Sequence, residues 1–387
     1  MHIDKSTFCL APWFSIFANS KGDIGPCCAF EGTRKYNFKQ VEEYFNSEEI
    51  KNLRQDLMNG VKNTNCQTCW KHEESDGDSL RLITNRTIGL LNSGSLSAQI
   101  EDPKVENIKS FDLTLGNLCN LKCVMCTPSL SSQLLAEVNL NLGLKSRYSE
   151  KFAQSDFDWP KQNDFVEWCN KHLPQAVHIK FTGGEPFIIP WIGDAIEHIP
   201  DQQKKNCVLH FSTNLTMINE KLIDTFKKFK QVWLSVSVEG IGATHEYIRY
   251  GHKWKTLTDN IKFIRAMKID NLILNISHVL QAPSYHSILE MTEYFDKMDI
   301  SIRPIIVDSP LHFHIDSLTK KAKLKFLDDS KNYNGFNKNF IDYVRNMTKK
   351  HLEQNTELTR ACIKHLLDFD QVRKNNYKDI IPVDNLQ

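Results

Sequence analysis

Three cysteines in the segment 118–128, with the sequence LCNLKCVMCTP, restrict what this chain can fold into more than any other feature. Cys119, Cys123 and Cys126 follow the spacing C-x3-C-x2-C, which lets three thiolates converge on one corner of a compact inorganic cluster. A 4Fe–4S cube held by three thiolates keeps one iron without a protein ligand, whereas an electron-transfer cluster normally has four. Such an open position can bind a substrate or cofactor, as it does in catalytic zinc sites. The spacing therefore predicts a catalytic cluster.

A second motif has the sequence FTGGEP and follows the apolar run 176–181. Its functional part is Gly183, Gly184, Glu185 and Pro186. Glycines let the backbone approach a ligand closely, and a carboxylate accepts strong hydrogen bonds from an ammonium group. Each motif alone is weak, because C-x2-C also suits zinc and Gly-Gly suits any turn. The two motifs in this order, each after a strand-like segment, are far more specific.

Together the two motifs resemble those of the radical SAM enzymes. The resemblance implies that the open iron of a 4Fe–4S cluster on Cys119, Cys123 and Cys126 chelates the amino and carboxylate groups of S-adenosylmethionine (SAM). One electron then cleaves SAM to methionine and a 5′-deoxyadenosyl radical, which abstracts hydrogen from a substrate. Met125 stands where the family has a residue that packs by the adenine. The GGEP segment is similar to the one that binds the methionyl amino group.

Strand-like and helix-like segments alternate along the middle of the chain. Short apolar runs separated by amphipathic stretches such as 220–229 and 255–267 indicate parallel strands with both faces covered. We expect an α/β fold in which six βα units form the partial (β/α)6 TIM-like barrel of the radical SAM family. The motifs would then lie at the carboxyl ends of the first two strands, where barrel enzymes carry their sites. The strand candidates are residues 109–115, 177–182, 208–213, 233–238, 272–280 and 300–307.

Four more residues resemble family positions that contact SAM. Asn214 ends the third strand, and Ser237 and Glu239 end the fourth, where relatives often have Ser-x-Asp-Gly. Glu239 replaces the aspartate that relatives use against the ribose or the methionyl end. Arg249 matches an arginine that relatives place against the SAM carboxylate, a task that suits a bidentate guanidinium. An ordinary surface or helix-capping arginine is the alternative for this position.

The first hundred residues contain a second group of cysteines. The pattern C-x12-G-x4-C followed by C-x2-C resembles the SPASM and Twitch domains, which hold auxiliary clusters in radical SAM enzymes. In most relatives this module follows the barrel, whereas here it precedes it. Residues 21–23 fit the tight turn of a hairpin, which would bring the first two cysteines together. A structural zinc site with four cysteines is the competing interpretation. The assigned ligands of one auxiliary 4Fe–4S cluster are Cys9, Cys27, Cys66 and Cys69, with Cys28 as the alternate.

The length of 387 residues suffices for two or three domains with substantial cores. We expect a cysteine-rich, Twitch-like domain over 1–100, a radical SAM core over 107–310 and a C-terminal helical extension and tail over 311–387. The boundary would lie in the segment 93–107, which contains Gly, Ser, Asp and Pro.

Charge and hydropathy exclude several other classes. The formal net charge of +1 gives no reason to expect nucleic-acid or membrane binding. No apolar run approaches the roughly 18 residues of a membrane span. The segment 8–17 lacks the basic lead-in and the cleavage site of a signal peptide. Because most of the eleven cysteines have metal-like spacings rather than a disulfide pattern, we expect a cytoplasmic, oxygen-sensitive protein.

The remaining cysteines and two histidines have weaker assignments. Cys169, Cys207 and Cys362 are expected to be small buried hydrophobes, with a hydrogen-atom donor as the less favoured role. His312 and His314 follow the sixth strand, where a loop would place them at the barrel mouth as substrate contacts. Two histidines at i and i+2 on a strand face one way and can bind a metal, but the sequence shows no third ligand.

Three functions are compatible with these motifs. The first is radical SAM chemistry on a ribosomally made peptide, with the auxiliary cluster assisting and flavodoxin or ferredoxin as low-potential electron donor. Because little chain precedes Cys9, we expect a separate peptide-recognition protein for this function. The second is the same chemistry on a small metabolite, such as a sugar, nucleotide or aminocyclitol. The third is a non-catalytic iron–sulfur or zinc scaffold or electron carrier, which the two motifs argue against.

Overall fold

A computed structural model of the protein describes residues 4–32, 34–74, 78–91, 96–148, 152–307 and 309–387. Within these residues, eight strands alternate with helices along the chain. The strands are β1 (Ser15–Ala18), β2 (Ile24–Gly25), β3 (Ser110–Leu113), β4 (His178–Phe181), β5 (Val208–Thr213), β6 (Gln231–Ser237), β7 (Leu272–Leu280) and β8 (Ile302–Ile306).

The helices are short in the first part of the chain and longer towards its end. They are α1 (Ala11–Phe14), α2 (Val41–Phe45), α3 (Glu48–Met58), α4 (Gln67–Glu74), α5 (Leu80–Leu91), α6 (Leu96–Glu101), α7 (Ser132–Leu140), α8 (Leu142–Lys145), α9 (Asn163–His172), α10 (Trp191–Glu197), α11 (Asp201–Lys204), α12 (Glu220–Asp224), α13 (Gly242–Ile248), α14 (Trp254–Ala266), α15 (Ile288–Asp296), α16 (Lys320–Asp329), α17 (Lys338–Lys350), α18 (Thr356–Arg373) and α19 (Val383–Leu386).

Two compact units make up the chain, and each draws on several segments. The first unit consists of residues 1–117, 153–211 and 221–232, and the second of residues 118–152, 212–220 and 233–387. The division into domains 1–100, 107–310 and 311–387 stays a prediction, and residues 93–95 of the expected boundary lie outside the described residues.

In the first unit, strands pair in the order β2-β1-β3-β4-β5. Strand β1 is antiparallel to β2, and the pairs β1–β3, β3–β4 and β4–β5 are parallel. The register places Ser15 opposite Ser110, Ser110 opposite His178 and His178 opposite Val208. Along β3, Phe111 is fully buried while its neighbour Ser110 is partly exposed, because successive side chains of a strand point to opposite faces.

In the second unit, β7 and β8 form a parallel pair with Ile276 opposite Ile302. The N–H group of Val238, directly after β6, donates to the carbonyl of Ser277 in β7 at 3.1 Å. Helices α13, α14 and α15 separate these strands, and α16 to α19 follow them. The fold is therefore mixed α/β with a parallel sheet, as predicted, and is consistent with a partial TIM-like barrel followed by a helical segment.

No helix in the described part of the chain combines the length and the apolar character that crossing a membrane requires.

Candidate functional site

The three cysteines of the C-x3-C-x2-C motif lie in the second unit, on the loop that precedes α7. Cys119 and Cys123 are buried and Cys126 is half-buried, and none of the three forms a disulfide within the described residues. They pack in one cluster with Leu121 and Met125. The structure thus brings the three predicted cluster ligands together and places Met125 beside them.

The first turn of α7 holds this loop in place. As the helix N-cap, Ser131 accepts the N–H of Leu134 at 3.1 Å, and its hydroxyl donates to the carbonyl of Leu121 at 2.6 Å. The Ser132 hydroxyl lies 3.2 Å from both the N–H nitrogen and the carbonyl oxygen of Cys119. Serine before an apolar helical run is a typical N-cap signal, so this anchor was readable in the sequence although we did not predict it.

Backbone hydrogen bonds fasten the other end of the loop. The N–H groups of Lys122 and Val124 donate to the carbonyls of Tyr250 and Ile248, each at 2.9 Å. The carbonyl of Val124 accepts from Nε2 of His365 at 2.8 Å. The segment between the cysteines is therefore held by groups more than a hundred residues away, which no local sequence signal announces.

Arg249 follows α13 directly and extends its guanidinium to the cysteine loop. Its Nη1 lies 3.9 Å from the Cys123 sulfur, and its Nη2 donates to Glu239 Oε1 at 2.9 Å. Only 12% of the Arg249 side chain is exposed, so the surface alternative does not describe it. Its Nε is buried and has no hydrogen-bond partner among the described residues. An unsatisfied buried donor is costly, and an anionic ligand would satisfy it.

Glu239 is completely buried beneath Arg249 and has its own set of donors. Its Oε2 accepts the N–H of Val279 at 3.1 Å and the side-chain amide of Gln281 at 3.3 Å. Nδ1 of His278 lies 3.3 Å from the same oxygen and 2.9 Å from the Val238 carbonyl. Protein groups thus occupy this carboxylate, and it positions Arg249. Its contact with the ribose or methionyl end of SAM stays a prediction.

Burial makes the motif thiols difficult to ionise without help. Burial raises the pKa of Cys126 to about 12, and the nearby Cys123 adds to the shift. Burial also raises the pKa of Cys123, although the Arg249 guanidinium opposes this. Only the thiolate is a good metal ligand, so bound metal must supply the positive charge that keeps these sulfurs deprotonated. A buried set of three sulfurs beside a cationic side chain fits an iron–sulfur cluster.

Asn214 connects the end of β5 to the cysteine motif within the second unit. Its side-chain Nδ2 donates to Oδ1 of Asn120, the residue after Cys119, at 3.1 Å. Its Oδ1 accepts the N–H of Thr216 at 2.9 Å. Ser237, at the end of β6, is half-buried. The structure gives Asn214 a contact that orients the cysteine motif, which the sequence did not suggest.

In the first unit, the GGEP segment follows β4. Gly183 and Gly184 have φ angles of 68° and 55°, a left-handed backbone conformation that residues with a Cβ rarely adopt. Glu185 is buried, and its Oε1 accepts the N–H of Phe187 at 3.0 Å. Pro186 begins the short 3-10 turn that follows. The motif residues are therefore needed by the local backbone, whatever ligand they bind.

The four cysteines assigned to the auxiliary cluster line one small cavity of about 20 Å³ in the first unit. Burial raises the pKa of both Cys9 and Cys66 to about 12. Cys28, an exposed residue, does not line this cavity. The cavity-lining cysteines are Cys9, Cys27, Cys66 and Cys69.

The four cysteines lie around a hairpin and the start of α4: Cys9 precedes α1, Cys27 follows β2, Cys66 ends the 3-10 turn before α4, and Cys69 is in α4. Strands β1 and β2 form the expected hairpin, whose turn contains Gly22 at φ 88° with its N–H bonded to the Asn19 carbonyl at 2.9 Å. Arg81 of α5 joins the remaining parts: its Nη2 donates to Glu73 of α4 at 2.5 Å, and its Nη1 donates to the carbonyl of Phe8 at 2.8 Å. Arg81 and Glu73 are thus structural residues that the sequence did not single out.

His312 and His314, predicted together at the barrel mouth, have separate partners in the second unit. Nε2 of His312 lies 2.8 Å from Nδ1 of His365, whose Nε2 donates to the Val124 carbonyl in the cysteine loop. His314 contacts Asp316 instead. As expected for a loop, neither histidine lies on a strand: His312 is in the 3-10 turn Leu311–Phe313 and His314 directly follows it, so they do not form the alternative i, i+2 strand pair.

Residues 113–295 match the family model of the radical SAM superfamily. This segment, just under half of the chain, is therefore similar to the radical SAM domain. This domain and the match to a radical SAM synthase, described next, indicate an enzyme, and the superfamily implies SAM and a 4Fe–4S cluster as cofactors.

Two curated proteins are similar to this chain. An uncharacterized protein of Methanocaldococcus jannaschii, MJ0907, is 21% identical over 276 residues, which cover 69% of this chain and 85% of that protein. The radical SAM cyclopropyl synthase TigE of Paramaledivibacter caminithermalis is 22% identical over 209 residues, which cover 51% of this chain and 41% of TigE.

Two solved structures also resemble the chain, at low similarity. Native anSMEcpe with bound AdoMet and the Cp18Cys peptide has a TM-score of 0.35 and 16% identity, covering 56% of this chain and 57% of that one. Streptococcus suis SuiB bound to precursor peptide SuiA has a TM-score of 0.35 and 14% identity, covering 78% of this chain and 54% of that one. The chain thus spans less than two thirds of either structure.

Proposed function

We propose that the protein is a radical SAM enzyme that modifies a peptide substrate, with an auxiliary 4Fe–4S cluster assisting. When bound, the SAM-binding cluster and SAM supply the low-potential electron and the precursor of a 5′-deoxyadenosyl radical that abstracts hydrogen. The observation that carries this proposal is the convergence of Cys119, Cys123 and Cys126 beside the buried guanidinium of Arg249, inside the matched domain.

The residues around the cysteine loop have separate tasks in this proposal. Cys119, Cys123 and Cys126 hold the cluster through three thiolates. Arg249 binds the methionyl carboxylate of SAM, because its Nε is a buried donor that lacks an acceptor among the described residues. Glu239 keeps the guanidinium in place through the 2.9 Å hydrogen bond to Nη2. A charge-assisted, partly pre-formed contact of this kind binds carboxylates strongly.

Other SAM contacts rest on the sequence resemblance alone. From the GGEP motif we propose that Gly183, Gly184 and Glu185 bind the methionyl amino group, with Pro186 shaping the turn. Met125 is proposed to pack by the adenine, which is consistent with its place beside the cysteines. Main-chain and side-chain groups that surround the cofactor would also exclude water and competing hydrogen donors.

For the auxiliary site we propose Cys9, Cys27, Cys66 and Cys69 as ligands of a 4Fe–4S cluster. Their arrangement around one cavity, away from the exposed Cys28, supports Cys27 as the ligand. A structural zinc ion on the same four cysteines is the alternative, and metal analysis of the Cys119/Cys123/Cys126 triple-alanine variant distinguishes the two. Such a cluster would bind the substrate or accept an electron from it.

Partners and compartment complete the proposal. The SPASM-like cysteine pattern is the reason to prefer a peptide over a small metabolite. A flavodoxin or ferredoxin would supply electrons, and a separate protein would recognise the peptide. A cytoplasmic location is proposed because the eleven cysteines, all within the described residues, form no disulfide, as expected in a reducing compartment.

The first experiment measures 5′-deoxyadenosine from the cluster-loaded protein, SAM and a strong reductant without air. We expect formation that host extract stimulates through its macromolecular fraction, with the stimulation lost after protease treatment. Stimulation by the small-molecule fraction alone would indicate that the substrate is a metabolite and not a peptide. Absence of 5′-deoxyadenosine from a fully loaded protein would refute radical SAM activity.

A further inference from the structure

In the second unit, three side chains outside the cysteine loop form a set of metal-ligand type. His314, Asp316 and His351 each bring one ligand atom to within 4.8 Å of the other two. No other set of three or more His, Cys, Asp or Glu side chains in the described part of the chain does so. Their side chains are 11%, 31% and 29% exposed, so an ion from solvent can reach them.

The backbone around this set holds the three side chains in fixed places. His314 immediately precedes the 3-10 turn Ile315–Ser317, which contains Asp316. His351 directly follows α17. The N–H of Asn355 donates to the Asp316 carbonyl at 2.8 Å, which ties the turn to the segment after His351. The geometry is therefore set before any ligand binds.

Hydrogen bonds alone do not satisfy both neighbours of Nδ1 of His314. Nδ1 of His314 lies 3.1 Å from Asp316 Oδ2, an acceptor, and 3.3 Å from the Asp316 backbone nitrogen, a donor. A protonated Nδ1 opposes the N–H group, and an unprotonated Nδ1 opposes the carboxylate, so neither tautomer satisfies both contacts. In the unprotonated form the Nδ1 lone pair faces the carboxylate, and a cation bound to Nδ1 and Oδ2 would relieve this repulsion by accepting an electron pair from each. Nδ1 of His351, 2.9 Å from Asp316 Oδ1, can turn its own lone pair to the same ion.

We infer that His314, Asp316 and His351 form a zinc-binding site, separate from the iron–sulfur chemistry. Imidazole nitrogens suit zinc, whereas calcium and magnesium require more oxygen ligands than one carboxylate supplies. Three protein ligands and an exposed fourth position match an open zinc site. Bound zinc would join the end of α17 to the turn before α16, so its effect is on the C-terminal helices.

The test counts metals in the cluster-loaded protein after incubation with ZnCl₂ and desalting without air. We expect the wild type to retain one zinc ion per chain more than His351→Gln or Asp316→Asn, with equal iron in all three. A matched control is His198→Gln, which changes a partly exposed histidine after α10 and should keep the zinc. Zinc should also raise the melting temperature of the wild type and not that of Asp316→Asn.

Three results would overturn the site. The first is a wild type that retains no zinc. The second is that both ligand variants retain as much zinc as the wild type. The third is that His198→Gln loses zinc to the same extent as the ligand variants. Should His351→Gln lose iron as well, which would indicate misfolding, Asp316→Asn decides, because it keeps the size and shape of the side chain. None of these readouts depends on SAM cleavage, so the zinc site and the proposed function fail or hold independently.

Discussion

The two cysteine sites differ in what surrounds their sulfurs. In the second unit, three cysteines lie on a loop beside the buried guanidinium of Arg249, whose Nε has no partner among the described residues. In the first unit, four cysteines line a small cavity whose other walls include Trp70 and Leu80. The three-cysteine site has one sulfur fewer than a closed cluster needs and a buried N–H donor without a partner among the described residues. The four-cysteine site has four sulfurs and apolar walls. This difference is the basis of the proposal that the three-cysteine site binds a ligand for chemistry and that the four-cysteine site holds a cluster without an open position.

The largest expected effect comes from removing a thiolate of the three-cysteine site. Cys123→Ala should abolish 5′-deoxyadenosine formation while iron at the four-cysteine site remains, because three thiolates are the minimum for a cluster with one open iron. Product analysis and iron counting measure this. The control, Cys362→Ala, removes a buried thiol of α18 and should retain cleavage. If Cys123→Ala cleaves SAM as fast as the wild type, the three-cysteine site is not the one that binds and cleaves SAM.

Next in size is the contrast between two adjacent cysteines of the first unit. Cys27→Ala should lose the auxiliary iron, and Cys28→Ala should keep it, because only Cys27 lines the cavity. Iron and sulfide content of the anaerobically assembled proteins distinguishes them. The reverse result would move the ligand to Cys28. Zinc in place of iron in the Cys119/Cys123/Cys126 triple-alanine variant would make the closed site a zinc site.

A smaller change is expected at Arg249. Arg249→Gln removes a charge-assisted contact of about 1.5–3 kcal/mol, which corresponds to roughly 10–150-fold weaker SAM binding. Glu239→Gln should act through Arg249 and weaken binding less. Equilibrium binding of SAM to the cluster-loaded protein checks both, and Arg360→Gln, an exposed arginine of α18, is the control. Unchanged SAM affinity in Arg249→Gln would show that the unpartnered Nε serves another ligand.

The smallest effect concerns the support of the cysteine loop by His365. Burial lowers the pKa of this histidine to about 3, so the folded protein holds it neutral while the unfolded chain binds a proton below about pH 6.5. Its contribution to stability is therefore present above pH 6.5 and is lost as the pH falls. When the pH falls from 7.5 to 5.5, we expect the wild type to lose about 1 kcal/mol more unfolding free energy than His365→Gln does. Equal pH dependence in urea unfolding would contradict this.

Much of the barrel framework was predictable because apolar runs of strand length are local signals. The run 272–280 coincides with β7, and 208–213 coincides with β5. The hairpin that contains β1 was expected from residues 21–23, but the sequence did not predict that β1 also joins the parallel sheet. The pairing of β1 with β3, a strand almost a hundred residues later, depends on tertiary contacts.

By itself, the sequence determined the ligand types and their local geometry. Two of these features are local: the spacing of Cys119, Cys123 and Cys126, and the glycines whose φ is positive. Because each involves only a few neighbouring residues, it can be read directly from the sequence. Only the tertiary structure decided which distant groups meet them. It placed Glu239 against Arg249, set His365 beneath the cysteine loop, and joined His351 to Asp316. These contacts join residues that are far apart in the sequence. They depend on how the helices and strands pack, which local sequence patterns do not reveal.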